Sequence, residues 1–412
     1  MKRSIRPFEN VFSVLSLILF SQGFYTVILG NNAEGDIDSV FLRVVYLFIY
    51  SVTLALLVFR RHRTLYFLKS NLWLLFAIGL AIVSVSWSSI PDVAFRKVIA
   101  LLGTSLFGLY LGSRYTFKEQ LQIYGWVFGI CMFFSYLFSI ALPSYGIMNT
   151  HAIVGAWRGI YPHKNGLGES MFASFMTFYF LSNVSKERRL LFKILCLLSV
   201  VLIFFGKSAT ALMSVLLIFL TAKGLEKLSL RSKRSVFAIL LFLIFTFFMS
   251  FLLLINFNTF LSVNDKDITL SGRTILWDTL WNFIQQKPWL GYGYGSFFSS
   301  EGREANLLWQ IHDWSPVHSH NGFVQLWIDL GGIGLLVFVL GYISCLFNSL
   351  FKYLVSKEPQ MLWIFLFLMY TVFLNLTEVS FVAVNSIIWI ISVASIYSMK
   401  KIAPARVITS IG

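Results

Sequence analysis

Long apolar runs recur along almost the whole of this 412-residue chain, in which 57% of the residues are hydrophobic and 12% are charged. A run of about 20 apolar residues crosses the hydrocarbon core of a bilayer as an α-helix, which satisfies its backbone hydrogen bonds internally. The runs therefore predict an all-α, polytopic membrane protein with about twelve transmembrane helices. The predicted spans are residues 10–29, 40–59, 71–89, 97–113, 120–142, 166–183, 189–205, 208–223, 235–258, 322–350, 360–377 and 380–399. The seventh and eighth are either a hairpin or one helix broken near Gly206.

Basic residues are distributed unevenly among the segments that join these runs. Lys and Arg favour segments that stay in the cytoplasm. With a cytoplasmic N-terminus, alternate segments that fall on the cytoplasmic side carry most of the basic residues, and the C-terminal tail is also cytoplasmic. We therefore attribute the net charge of +15 to membrane topology and expect no nucleic-acid partner.

A long polar segment interrupts the apolar pattern. It divides the chain into residues 1–258 with nine predicted spans, an external loop at 259–320, and residues 321–412 with three spans and a cytoplasmic tail. Within the loop, Ser271 is in position to cap a helix that begins near Arg273. In such an apolar chain, catalytic residues are expected in a long, solvated loop.

Histidines and cations gather in the predicted external segments. Five of the six histidines lie there, at positions His151, His163, His312, His318 and His320. Conspicuous basic residues on that side, which run against the orientation rule, include Arg158, Lys164, Lys207 and Arg273. Incidental solvation is the alternative for any one of them. As a group they favour an anionic ligand, such as a lipid-linked phosphate or diphosphate, and proton transfer.

His320 lies directly before the helix that begins near Gly322. A neutral imidazole at this place could accept a proton from an acceptor hydroxyl. An interfacial hydrogen-bonding histidine is the alternative interpretation.

Three stretches of sequence resemble a known family, the O-antigen ligase and polymerase superfamily, and in particular its exopolysaccharide polymerase branch. The first stretch consists of the segments Ser271–Trp277, Pro288–Gly293, His318–Gly322 and Leu330–Gly334. The second is Trp157–Gly168, and the third and weaker one is Ser208–Leu212. Many members have Ser-Arg where this chain has Ser208 and Ala209, which leaves open whether Lys207 replaces that arginine.

The resemblance implies a GT-C-like membrane glycosyltransferase in the bacterial cytoplasmic membrane, with its active site on the external face. The implied activity is that of an O-antigen, exopolysaccharide or capsule polymerase. It would transfer a glycan from undecaprenyl diphosphate to a hydroxyl of an acceptor glycan, with inversion and without a metal or another cofactor. The implied partners are the lipid-linked oligosaccharide, the acceptor glycan and the bilayer, with a chain-length regulator as an open addition.

The resemblance also assigns roles to residues. His320 and Arg273 are the expected catalytic residues. The residues expected to bind diphosphate or glycan are Arg158, Lys164, Asn165, His163, Lys207, His318, Asn321 and Trp277.

Three other functions stay open at this point. An O-antigen ligase would pass the glycan to lipid A core or to a protein hydroxyl. A metal-dependent glycosyltransferase would use acidic residues such as Asp36 and Asp38 in the first external segment, although a solvated turn accounts for that pair as well. A lipid-linked sugar flippase would move the sugar without forming a bond.

Overall fold

The computed structural model describes residues 6–29, 39–149, 154–227, 273–312 and 314–401. Within these ranges the chain is helical and forms no strand, apart from an isolated bridge between Ile147 and Trp157. The predicted all-α membrane fold is confirmed. The predicted span 235–258, residues 259–272 of the external loop, and the residues Asp36, Asp38, His151 and Ser271 lie outside the described residues.

The described chain contains sixteen α-helices by our numbering. In chain order they are α1 (Arg6–Phe20), α2 (Tyr25–Leu29), α3 (Val40–Phe59), α4 (Arg61–Leu68), α5 (Leu72–Val83), α6 (Pro91–Arg114), α7 (Phe117–Ala141), α8 (Pro143–Gly146), α9 (Lys164–Val184), α10 (Arg189–Phe205), α11 (Ala209–Lys227), α12 (Arg273–Gln286), α13 (Arg303–Ile311), α14 (Gly322–Ser356), α15 (Pro359–Leu374) and α16 (Ile387–Ser398). Short 3₁₀ turns follow α5 and α16.

Five of the described helices, α3, α6, α7, α11 and α14, are long and apolar enough to cross a membrane. A sixth span is possible if α4 and α5, which are bent by 93° relative to each other, are counted together. The total of twelve spans stays a prediction. Near Gly206, α10 and α11 are separate helices joined by a turn, in which Lys207 adopts a φ of +49°.

The last two helices are shorter than predicted, which leaves a longer connection between them. We expected spans at 360–377 and 380–399 with a tight turn between them. Instead, α15 ends at Leu374 and α16 begins at Ile387, so residues 375–386 form a longer connection. All residues of α16 are buried, which is typical of a helix at the centre of a bundle.

Segments predicted to share the external face meet at one end of the bundle. Ser89 at the start of α6 donates a hydrogen bond to Glu304 in α13, at 3.0 Å. Asn165 in α9 donates to Glu378 in the connection between α15 and α16, at 2.7 Å. Both contacts join segments that are predicted to be external, and which end faces the cytoplasm stays a prediction.

A break in α14 holds the external loop against the bundle. Gly331 has φ +67° and ψ −177°, which interrupts the helical hydrogen bonds. The loop supplies replacement acceptors, because Gly332 donates to the carbonyl of Pro288 at 2.8 Å and Ile333 donates to that of Trp289 at 3.3 Å. The Pro288–Gly293 and Leu330–Gly334 motifs therefore contact each other through backbone hydrogen bonds.

Candidate active site

The histidine motif forms a short turn that begins α14. Asn321 caps this helix, since its side-chain oxygen accepts from the N–H groups of Phe323 at 3.0 Å and Val324 at 3.2 Å. Trp277 of α12 donates from its indole to the carbonyl of Ser319 at 2.8 Å. His320 adopts a φ of +51°, which residues other than glycine rarely do and which is common at functional sites.

Glu378 is the residue on which the site converges. Its Oε1 atom accepts from Arg273 at 3.0 Å and from the side chain of Asn165 at 2.7 Å. Its Oε2 atom lies 3.8 Å from Nδ1 of His320. The side chains of Arg273, Glu378 and His320 are 16%, 14% and 19% exposed, so all three are mostly buried.

The carboxyl group of Glu378 is held in its charged form. Burial alone would raise its pKa, but contact with His320 and the positive charge of Arg273 outweigh burial and lower the pKa to about 2. Arg273 also donates to the carbonyl of Thr377 at 2.6 Å, which fixes the guanidinium against this connection. The site therefore contains a permanent carboxylate between a cation and an imidazole.

Two further histidines line the site in neutral form. The rings of His318 and His320 have centroids 4.1 Å apart, and Nδ1 of His318 accepts from the backbone N–H of His320 at 3.2 Å. Burial lowers the pKa of His318 to about 4, assisted by its neighbour His320. Burial likewise lowers the pKa of His163 to about 4. These two rings act as hydrogen-bonding groups and not as cations at neutral pH.

The Trp157–Gly168 motif also lies beside Glu378. His163 caps α9 by accepting from the N–H of Asn165 at 3.2 Å, and Asn165 in turn donates to Glu378. Lys164 donates to the carbonyl of Lys207 at 3.4 Å, and Lys207 directly precedes the Ser208–Leu212 motif. Thr210 of that motif lies 3.3 Å from Thr377, oxygen to oxygen. Three stretches far apart in the sequence thus line one end of the bundle.

The side chains of Arg158 and Lys207 are engaged with backbone carbonyls. Arg158 is 6% exposed and donates to the carbonyls of Tyr145 at 2.7 Å and Pro162 at 3.3 Å. Lys207 donates to the carbonyl of Val154 at 3.1 Å. Arg158 therefore holds the loop between α8 and α9 together. Its contribution to diphosphate binding, and the replacement of the missing arginine by Lys207, stay predictions.

His318, His320 and Glu378 could also hold a metal ion, since one ligand atom from each lies within 4.8 Å of the others. The surrounding charge disfavours this use. Oε1 of Glu378 is already taken by Arg273 and Asn165, and a cation bound to Oε2 would lie beside the guanidinium. The arrangement better suits an anion that approaches Arg273.

The sequence analysis did not identify Glu378. A signal was present, because Asn375–Glu378 is a polar run at the end of a predicted span, on the same face as the histidine motif. Asn375 supports the site as well, since its carbonyl accepts from the N–H of Gly322 at 2.8 Å. A side chain on Gly322 would collide with Asn375, which explains the glycine after the histidine motif.

Comparison with known proteins supports the resemblance. A family model described as O-antigen ligase matches residues 194–339, which include Arg273 and the histidine motif. The exopolysaccharide production protein ExoQ of Rhizobium meliloti (strain 1021) is 30% identical over 104 residues, which span 24% of this chain and 24% of that protein. These matches support, over the part of the chain that they cover, the resemblance to the O-antigen ligase and polymerase superfamily that the motifs indicate.

Proposed function

We propose that this protein is a polysaccharide polymerase, which transfers a glycan from undecaprenyl diphosphate to a hydroxyl of an acceptor glycan at the external face of the cytoplasmic membrane. The observation that carries the proposal is the convergence of Arg273 and His320 on Glu378. A cation that can bind a diphosphate and an imidazole that can accept a proton are the two groups that this transfer needs.

His320 is the base in this mechanism. Its Nδ1 atom faces Glu378, and a proton on Nδ1 directed at that carboxylate leaves the lone pair on Nε2. The separation of 3.8 Å is longer than a hydrogen bond, and such contacts often tighten when substrate binds. The acceptor hydroxyl gives its proton to Nε2 while its oxygen bonds to the anomeric carbon of the donor sugar.

Arg273 receives the leaving group. As the new bond forms, the bond between the anomeric carbon and the diphosphate oxygen breaks, and the electron pair leaves with the diphosphate. Arg273 directs one N–H to Thr377 and one to Glu378, and the guanidinium has further donors for phosphate oxygens. Lys164 adds a second positive charge nearby.

The stereochemistry follows from the roles of His320 as the base and Arg273 at the leaving group. A diphosphate leaves without protonation by an acid, so only the hydroxyl requires a catalytic base. One displacement by the hydroxyl inverts the anomeric carbon and uses no metal. Retained configuration in the product, or a covalent glycosyl-enzyme, would contradict this mechanism.

Two observations favour a polymerase. The Trp157–Gly168 motif, which resembles the exopolysaccharide polymerase branch, contacts Glu378 directly through Asn165. The curated relative is named for exopolysaccharide production. A ligase is the second candidate, because the matching family model is described as O-antigen ligase and the same groups would serve a lipid A core or protein hydroxyl.

The test is a polymerisation assay with the purified full chain in the presence of EDTA. Polyprenyl-diphosphate-linked repeat units are supplied, and glycan length is followed on a gel. We expect a ladder from the wild type and its loss in His320→Ala and Arg273→Ala. The matched controls are His312→Ala and Arg303→Ala, which alter the same residue types elsewhere in the external loop and should keep the ladder.

Other outcomes would change the proposal. A ladder that requires added divalent metal would overturn the metal-free mechanism, and a ladder that survives both site variants would overturn the site. Transfer only to lipid A core or protein would identify a ligase. Movement of lipid-linked sugar across vesicles without bond formation would identify a flippase and overturn both enzyme assignments.

A further inference from the structure

A second charged site lies at the opposite end of the bundle, where α4 meets α5. The two helices are bent by 93° relative to each other. The short helix α4 exposes apolar Leu65 and Tyr66 beside basic Arg61 and Arg63. A helix of this composition at a right angle to a spanning helix is typical of a segment that lies along the membrane surface.

Several charged side chains meet at this corner. Glu9 of α1 is fully buried and pairs with Arg60 at 2.6 Å and Arg114 at 2.8 Å. Two more cations lie on the ring of Phe67, with the guanidinium of Arg63 at 5.9 Å and the ammonium of Lys401 at 5.8 Å from its centroid. Glu9 therefore pairs with two cations, and two further cations lie on Phe67. Among the described residues, neither of the two cations on Phe67 has a carboxylate within ion-pair distance.

The backbone brings these cations close together. The ammonium of Lys401 donates to the carbonyl of Tyr115, and the guanidinium of Arg114 lies 5.5 Å from the ring of the same tyrosine. Burial and, to a smaller extent, the charges of Arg63 and Arg114 together lower the pKa of Lys401 to about 7. The preference of basic residues for the cytoplasmic side accounts for single exposed cations, but it does not by itself bring Arg63, Arg114 and Lys401 within reach of one another's charge.

We propose that the α4 corner, which we define as Arg63, Phe67, Arg114 and Lys401, binds the phosphate headgroup of an anionic phospholipid. A phosphodiester would supply the missing negative charge and accept charge-assisted hydrogen bonds from the cations. The location fits a lipid, because the exposed side chains Val58 and Phe59 at the end of α3 offer apolar surface next to the corner. This site is separate from the proposed catalytic residues and does not depend on their role.

The test is native mass spectrometry of the detergent-purified full chain, titrated with phosphatidylglycerol or with zwitterionic phosphatidylcholine. We expect the wild type to retain phosphatidylglycerol preferentially. The double variant Arg63→Ala/Lys401→Ala should retain it roughly tenfold less well, because each lost cation near the surface weakens the attraction. The charge-keeping variant Arg63→Lys/Lys401→Arg should bind as the wild type does.

The matched control is Lys186→Ala/Lys227→Ala, which removes the same charge from exposed positions on segments predicted to share that face. It should leave binding unchanged. Equal binding by the wild type and Arg63→Ala/Lys401→Ala would overturn the site, and so would an equal loss in the control. Competition by free glycerol phosphate at the same concentration as the lipid would overturn the assignment to a membrane lipid.

Discussion

The guanidinium of Arg273 lies 3.0 Å from the carboxylate of Glu378, although 105 positions separate the two residues in the sequence. The other carboxylate oxygen lies 3.8 Å from the ring of His320. One acid thus aligns both of the residues expected to be catalytic, and this makes Glu378 the most informative position to change.

Replacing Glu378 by Gln should lower the turnover number of glycan transfer by about 10- to 100-fold, as loss of an orienting partner commonly does. The amide keeps the shape but removes the charge that orients Arg273 and His320. The measurement is the polymerisation rate of Glu378→Gln beside that of the control Glu304→Gln, which changes an acid of the external loop that contacts Ser89. A rate equal to that of the wild type in Glu378→Gln would eliminate this role.

Replacing Trp277 by Phe should reduce activity by about tenfold, while the thermal midpoint changes little. The phenyl ring keeps most of the packing but loses the indole hydrogen bond to Ser319, worth about 1 kcal/mol. Trp281→Phe is the control, because the side chain of Trp281 is partly exposed and packs against Trp327. Equal effects of the two changes would mean that aromatic packing alone matters.

Protonation of His163 and His318 should lower the stability of the folded protein between pH 6.5 and 4. Burial lowers the pKa of His163 and His318 to about 4 in the folded state, whereas an unfolded histidine binds a proton near pH 6.5. At these two positions the unfolded chain binds more protons in this interval, so their contribution to the free energy of unfolding is complete above pH 6.5 and falls as pH decreases. Thermal midpoints recorded across the interval in one detergent give the measurement.

The variant His163→Asn tests the source of this pH dependence. Asparagine is a good helix cap and can still accept from Asn165, but it does not titrate. Its thermal midpoint should decline less steeply with acid than that of the wild type. The control His62→Gln alters an exposed histidine at the other end of the protein and should decline as the wild type does. An identical slope for His163→Asn would contradict the assignment.

Replacing Gly331 by Ala should destabilise the fold by about 2 kcal/mol or more, since its backbone conformation is essentially restricted to glycine. The added Cβ would also lie 2.1 Å from the carbonyl of Trp289. The control is Gly79→Ala in α5, where no atom lies within 4 Å of the new Cβ and helix propensity favours alanine. Thermal midpoints should fall for the first change and hold or rise for the second.

Motifs could identify the site only in part. His318, His320, Arg273 and Asn165 were predicted because each belongs to a stretch whose residue types are unusual on an external face. The structure places their side chains close together. Glu378 was missed, because an acid after an apolar run resembles an ordinary turn until its partners are known. Arg158 donates to carbonyls of its own loop, which residue type does not reveal, and its expected role at the diphosphate stays a prediction.

The sequence by itself determined the all-α membrane fold, since runs of about 20 apolar residues have few other stable structures in a bilayer. It also predicts which loops share an end, because basic residues mark alternate segments. Only the tertiary structure decided where α15 and α16 end, that Gly331 breaks α14 to receive the external loop, and that Glu378 joins Arg273 to His320. These features depend on contacts between segments distant in the chain, whereas hydropathy and charge act within each segment.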